Sequence, residues 1–165
     1  MIANFNLNNW PIVYFTLSGD AICDDSFEEY KKYYLNLLIK SKNENVKIIL
    51  ICNLNNSGNL PLNYVMKQAQ FNKEIEKFNK EYVRCVCILC KDKSFKNILN
   101  LYFTVSRPAS PYKLCRSFNK VNKYLNEKFN IIFDSHIFDD SYNNEIDEEE
   151  EEEEINNSTT NILPR

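Results

Sequence analysis

The first stretch of the chain alternates polar and apolar residues with the period of two that is typical of β-strands. Residues 4–7 alternate in this way, and residues 10–17 follow as a run rich in aromatic and β-branched side chains. Asn8-Asn9 lies between them, and asparagine tolerates the backbone geometry of a tight hairpin turn. Pro11 has no backbone N–H to donate, so we place it where the second strand begins or faces an edge. The pattern predicts an N-terminal β-hairpin.

Three later runs predict the remaining strands. Residues 46–54 and 83–90 are short and almost continuously apolar. Strands that are covered on both faces have this composition, and they are usually parallel and central in their sheet. Residues 112–116 form a shorter run, which predicts an edge strand.

Between the strands, apolar residues recur at the three- and four-residue spacing of amphipathic helices. The first predicted helix covers about residues 25–42, and Asp24 or Asp25 is a suitable N-cap. Pro61 suits the first turn of the second helix. The apolar face of that helix continues without a break to Tyr82.

Two prolines separate the third predicted helix from the last strand. The third helix is opened by Asp92 or Ser94, and Pro108 ends it near Ser106 or Arg107 because a proline pushes the residue before it out of helical conformation. Pro111 then introduces the short strand without needing a backbone N–H. Ser117 is the predicted N-cap of a fourth helix, residues 118–129.

The predicted order is therefore β-β-α-β-α-β-α-β-α. Strands that alternate with helices imply right-handed crossovers onto a mostly parallel sheet, and the hairpin adds an antiparallel edge. We predict one α/β domain over residues 1–133. Residues 134–165 are predicted to be an exit segment followed by a disordered acidic tail.

Charge divides the chain at the same place. Residues 1–133 carry 19 Lys and Arg against 11 Asp and Glu, a net charge of +8, whereas residues 134–165 carry one Arg against 12 acids, a net charge of −11. The seven consecutive glutamates of Glu148–Glu154 repel one another and cannot bury apolar surface, which predicts disorder. The tail is either a solubilising appendage or a segment that screens the basic body from an anionic partner.

The composition also bears on location. No run approaches the ~18 apolar residues of a membrane span, and the N-terminus lacks the basic and apolar regions of a secretory signal. We therefore expect an intracellular, cytoplasmic protein whose six cysteines are thiols. Abundant Asn, Lys and Ile are typical of an AT-rich genome, such as that of a protist or a large DNA virus. For a viral protein, the host cytoplasm or the virion would be the location.

Most catalytic chemistry is disfavoured by what the chain contains. Its two glycines, Gly19 and Gly58, are too far apart for a phosphate-binding glycine loop. The single histidine, His136, is interpreted as a surface residue rather than a general base. The Cys-rich strand 85–90 offers no partner pair for tetrahedral zinc, so core packing is favoured. We predict no catalytic residue, no metal and no cofactor.

Three stretches resemble the STAS-like family, named for sulfate transporters and anti-sigma-factor antagonists. They read WPIVYFTLSGDAICDDSFEEYKKYYLNLL from residue 10, VKIILICNLNNSGNLP from residue 46 and RPASPYKLCRSFNKVNKYL from residue 107. The resemblance spans about residues 1–129. It implies a non-enzymatic domain that works through protein–protein contact.

The same resemblance points to the loop after the predicted strand of residues 46–54 as a candidate site. Phosphorylation switches of this family have an Asp-Ser-Ser-Gly-like turn there, and this chain keeps only Ser57-Gly58. Ligands of open α/β sheets also bind beyond the carboxyl ends of the strands. We therefore predict binding residues Asn53, Asn55 and Ser57, with Arg107 as a weaker anion contact that topology places at the opposite end of the sheet.

The functional hypothesis is a STAS-like regulatory or scaffold domain with a protein partner, or with a second copy of itself. One alternative is a small ligand-binding protein or enzyme that uses the loop after the second parallel strand. Another is a virion or nucleic-acid-associated component that uses the basic body. Nucleic acid is less favoured because the lysines are spread over all four predicted helices.

Overall fold

The structure is a computed structural model, and it describes residues 3–17, 19, 22–55, 57–58, 60–93 and 95–133. The predicted exit segment, the acidic tail and His136 lie outside the described residues. Within the described part, the elements are β1 (Ala3–Asn9), β2 (Ile12–Leu17), α1 (Asp24–Glu44), β3 (Ile48–Asn53), α2 (Leu62–Glu74), α3 (Glu76–Tyr82), β4 (Val83–Leu89), α4 (Phe95–Val105), β5 (Tyr112–Cys115) and α5 (Phe118–Phe129).

The sheet has five strands in the order β1-β2-β3-β4-β5. β1 pairs with β2 in antiparallel orientation, and the pairs β2–β3, β3–β4 and β4–β5 are parallel. The predicted α/β class, the N-terminal hairpin and the mostly parallel sheet are confirmed. All six residues of β3 are buried, as expected for a central strand.

Helices cover the two faces of the sheet unequally. Strands β2 to β5 follow one another across the sheet, and right-handed crossovers in one direction bring α1 to α4 to one face. Phe27, Tyr34 and Phe71 pack on that face. On the other face, Phe118, Val121 and Leu125 of α5 pack against the sheet. No helix in the described part of the chain is both long and apolar enough to span a membrane.

The predicted hairpin turn and the predicted N-cap of α1 were wrong. The hairpin turns at Trp10-Pro11 rather than at Asn8-Asn9, since Asn9 is already paired with Ile12. Proline cannot donate to the strand ladder, so the turn is a suitable place for it. At the start of α1, the N-cap is Cys23 rather than Asp24 or Asp25, and its backbone N–H donates to Ser26 Oγ over 2.9 Å.

The predicted helix from Pro61 to Tyr82 is two helices, α2 and α3, which meet at Ile75. Ile75 has φ −101° and ψ 17°, outside the helical range. A β-branched residue is a weaker helix former than the Leu, Lys or Glu around it. The bend accompanies a hydrogen bond over 3.2 Å between Asn79 of α3 and Asn72 of α2. One apolar stripe in the sequence gave no sign of this bend.

Candidate functional site: a cavity beneath α4

Helix α4 is the most apolar helix of the chain, yet it is poorly buried. Leu99 is its only buried residue, and Ile98, Tyr102 and Phe103 are half-buried. The sheet beneath α4 is also incompletely buried. Val86 and Ile88 of β4 are half-buried on this face, whereas Cys85, Cys87 and Leu89 on the opposite face are each 0% exposed. The packing between α4 and the sheet is therefore incomplete.

A cavity of about 220 Å³ occupies this space. The sheet forms its floor, and helices α1, α2 and α4 form its walls. Representative lining residues are Phe15, Leu50, Val86 and Ile88 of the strands, Phe27, Tyr30 and Tyr34 of α1, Val65, Gln68 and Asn72 of α2, and Leu99, Tyr102 and Phe103 of α4. Among the described lining residues, Arg107 is the only one that carries a charge.

A row of hydrogen-bonded polar side chains runs along the wall of the cavity. The Tyr34 hydroxyl donates to Asn79 Oδ1 over 3.0 Å. Asn79 Nδ2 donates to Asn72 Oδ1 over 3.2 Å, and Asn72 Nδ2 donates to the Tyr102 hydroxyl oxygen. These four side chains all line the cavity. The row thus introduces polar groups into an otherwise aromatic and aliphatic interior.

A second polar pair lies on the same side of the sheet. Gln68 Nε2 donates to the Tyr30 hydroxyl over 2.9 Å. Burial raises the pKa of Tyr30 and of Tyr34, and it raises the pKa of Tyr102 to about 12 against the smaller opposing effect of the Asn72 hydrogen bond. All three hydroxyls are therefore neutral at physiological pH, and the site disfavours charge.

The predicted site residues of this loop, Asn53, Asn55 and Ser57, each make side-chain hydrogen bonds within the protein. Asn53 is 2% exposed, and its amide donates to the Tyr14 hydroxyl over 2.8 Å. Asn55 Oδ1 accepts from the Lys91 backbone N–H over 2.7 Å, which joins this loop to the segment after β4. Ser57 is 6% exposed, and its hydroxyl donates to the Leu54 carbonyl over 2.7 Å. A kinase or a ligand reaches this hydroxyl only if the loop opens.

Arg107 lies at the other end of the sheet, as the topology predicts. It is exposed in the α4–β5 connection. Three residues later, Ser110 Oγ donates to the carbonyl of Val83, the first residue of β4, over 2.9 Å. The structure therefore does not bring Arg107 together with Asn53, whose loop follows the carboxyl end of β3. Arg107 contributes instead to the rim of the cavity.

The side chains of Cys85 and Cys87 in β4 lie on the opposite face of the sheet from the cavity. Cys85, Cys87 and Cys115 are buried with the residues of α5, and the prediction that the cysteines of β4 pack in the core is confirmed. Hydrogen bonding with Cys115 and Cys85, together with burial, raises the pKa of the Cys87 thiol. Among the described residues, no group of three His, Cys, Asp or Glu side chains is arranged to hold a metal ion.

Sequence reasoning missed the cavity, although two signals pointed to it. The segment ILNLYFTV makes α4 the most apolar of the described helices, and its apolar residues cover a wide face, yet only Leu99 of this helix is buried. Asn72 and Asn79 also lie beside the apolar face of the predicted second helix, seven residues apart. Comparison with protein-family models, curated proteins and solved structures found no match to this chain. What it binds has to be inferred from its own residues.

Proposed function

We propose that this chain is a binding protein for a small, apolar, uncharged molecule, which occupies the cavity beneath α4. The observation that carries this proposal is the size of the unfilled space. Protein interiors are close-packed, and voids larger than a water molecule are few. A space of about 220 Å³ lined mainly by aromatic and aliphatic side chains is therefore exceptional. An apolar occupant would remove these side chains from water, which is the main favourable contribution to binding in such sites.

The volume and the lining define the ligand class. An apolar cavity of about 150 Å³ holds benzene, so by proportion 220 Å³ has room for about nine non-hydrogen atoms. The aromatic and aliphatic lining favours a hydrocarbon or a substituted aromatic ring. Burial raises the pKa values of Tyr30, Tyr34 and Tyr102, which shows that the cavity wall disfavours charge. A charged ligand would lose its hydration there without compensation.

The test is a titration with isopropylbenzene, a hydrocarbon of that size, followed in ¹H–¹⁵N NMR spectra. We expect saturable shifts at α4 and at the α1 and β4 residues that face it, with a Kd of about 0.1 mM. Val86→Phe, which places a ring in the cavity, should abolish the shifts. Val13→Phe is the matched control, because Val13 lies on the same face of the sheet but does not line the cavity. An absence of saturable shifts in the wild-type protein would contradict the proposal.

Protein–protein contact through a STAS-like domain is a second candidate. The support is the element order, in which a hairpin precedes strands that alternate with helices, together with the Ser57-Gly58 turn before α2. The test is affinity capture from native lysate with and without nuclease, alongside light scattering to detect self-association. Protein partners that survive nuclease favour this candidate. Recovery of nucleic acid instead would favour the nucleic-acid alternative, and recovery of neither would remove both.

A further inference from the structure

The row of polar side chains on the cavity wall leaves one tyrosine hydroxyl proton without an acceptor inside the row. Three hydrogen bonds join Tyr34, Asn79, Asn72 and Tyr102 in that order. Each amide accepts on its oxygen from one neighbour and donates from its nitrogen to the other. All the hydrogen bonds in such a row therefore point the same way. The hydroxyl proton of one terminal tyrosine is donated within the row, whereas the other terminal tyrosine only accepts and its hydroxyl proton is not used by the row.

The assigned direction leaves the proton of Tyr102. The Tyr34 hydroxyl is the donor at the first end, whereas the Tyr102 hydroxyl accepts from Asn72 Nδ2 at the other end. No hydrogen bond of the described residues uses the Tyr102 proton. Reversing both amides would leave the proton of Tyr34 instead, and Tyr34 lines the same cavity. In either direction, one hydroxyl donor remains available beside the cavity.

We propose that the Tyr102 hydroxyl donates to an acceptor oxygen of the bound molecule, so that the ligand is an uncharged apolar compound with one carbonyl or ether oxygen. This inference rests on the proposed binding function and names the ligand class for the same cavity. The Tyr102 oxygen already accepts from Asn72, so the hydroxyl is polarised in the direction that strengthens its own donation. An aryl ketone of about nine non-hydrogen atoms has the required size and acceptor.

A carboxylate fits this position less well than a ketone. The Tyr102 donor lies in a wall formed by aromatic and aliphatic side chains, and burial keeps its own charged form disfavoured. A carboxylate there would exchange its hydration for one hydrogen bond, which does not compensate for the lost solvation. Arg107 is the charged residue of the rim, and it is exposed to solvent. An ion pair between Arg107 and a ligand carboxylate would therefore be weak.

The experiment compares acetophenone with isopropylbenzene, two molecules of nearly equal size and shape that differ in one acceptor oxygen. Dissociation constants are measured by NMR titration for the wild-type protein and for Tyr102→Phe, Tyr34→Phe and Tyr64→Phe. Tyr64 is the matched control because it also lines the cavity but its hydroxyl already donates to Asp24 Oδ1 over 2.9 Å. Thermal melts establish that each variant is folded at the titration temperature.

We expect Tyr102→Phe to weaken acetophenone binding by about 5- to 30-fold, because a buried acceptor loses its donor. Binding of isopropylbenzene should change less than about 2-fold, and Tyr64→Phe should change the two dissociation constants by the same factor. Equal losses for the two ligands in Tyr102→Phe would overturn the assignment. So would an acetophenone loss that appears in Tyr34→Phe but not in Tyr102→Phe. In either case, isopropylbenzene binding to the wild-type protein would leave the proposed function standing, whereas binding of neither ligand would remove the function itself.

Discussion

Replacing Val86 by phenylalanine should stabilise the protein, which is unusual for a large residue introduced into a core. Val86 is a half-buried residue of β4 that lines the cavity. Phenylalanine suits a strand about as well as valine does, so the backbone preference is retained. The new ring enters space that no other side chain occupies.

The magnitude follows from the carbon atoms that are added. Phenylalanine carries about four more side-chain carbons than valine, and each buried methylene is worth about 0.8 kcal/mol, which sets an upper limit of about 3 kcal/mol. Ordering the ring and imperfect fit reduce this gain. We expect the free energy of unfolding to rise by about 1–2 kcal/mol.

Urea unfolding measures this change, and Val13→Phe is the control. Val13 is 0% exposed on the same face of the sheet and does not itself line the cavity, so the same substitution should cost about 1–3 kcal/mol there. The two variants should thus shift the unfolding midpoint in opposite directions with an unchanged m-value. If Val86→Phe destabilises the protein as much as Val13→Phe does, the space beneath α4 is already filled and the reasoning fails.

Four other outcomes are expected. Ser57→Ala should cost about 1 kcal/mol in urea unfolding, and Ser57→Asp several times more, because a buried carboxylate replaces a bonded hydroxyl; equal costs would mean that the loop opens readily. Maleimide should label Cys23 first among the six thiols, and at a lower pH than in urea, because hydrogen bonds from Ser26 lower the pKa of this exposed thiol; labelling of Cys85 at a similar rate would contradict this. Stability should fall as pH rises above about 9, because the unfolded chain ionises Cys52 and Tyr30 near their ordinary pKa values of 9.0 and 10.0, whereas burial raises both pKa values in the folded state; flat stability to pH 11 would refute it. Deleting residues 143–165 should raise the affinity for heparin at low salt, and less so at high salt, because the acidic run no longer competes for the basic body; an unchanged affinity would reduce that run to an aid to solubility.

Strands and helices could be predicted from the sequence where a single local feature, such as an apolar run, a capping residue or a proline, determines the structure. The continuous apolar run of β3 predicted a strand buried on both faces, and all its residues are buried. Ser117 was predicted to cap the last helix, and its hydroxyl accepts from the Lys120 backbone N–H over 3.4 Å. Pro108 was predicted to end the third helix near residue 106, and α4 ends at Val105.

The site was less predictable because it depends on distances between elements. Helix α4 packs against α2, and α2 ends at the bend at Ile75; a single helical pattern contains neither feature. The bonds from Tyr34 to Asn79 and from Asn72 to Tyr102 join residues that are 45 and 30 positions apart in the sequence. The loop that contains Ser57 could be identified from the sequence. The sequence could not show that the Ser57 hydroxyl is buried and donates to the Leu54 carbonyl.

The most direct test of the binding cavity is a crystal of the protein under xenon pressure, measured for anomalous scattering. Xenon enters apolar cavities of this size that are accessible and unfilled. The account predicts a xenon peak between α4 and the sheet, in contact with Val86, Ile88 and Leu99. It also predicts that this peak disappears in Val86→Phe crystals. A wild-type crystal without such a peak, in which α4 lies directly against β4, would contradict the central claim.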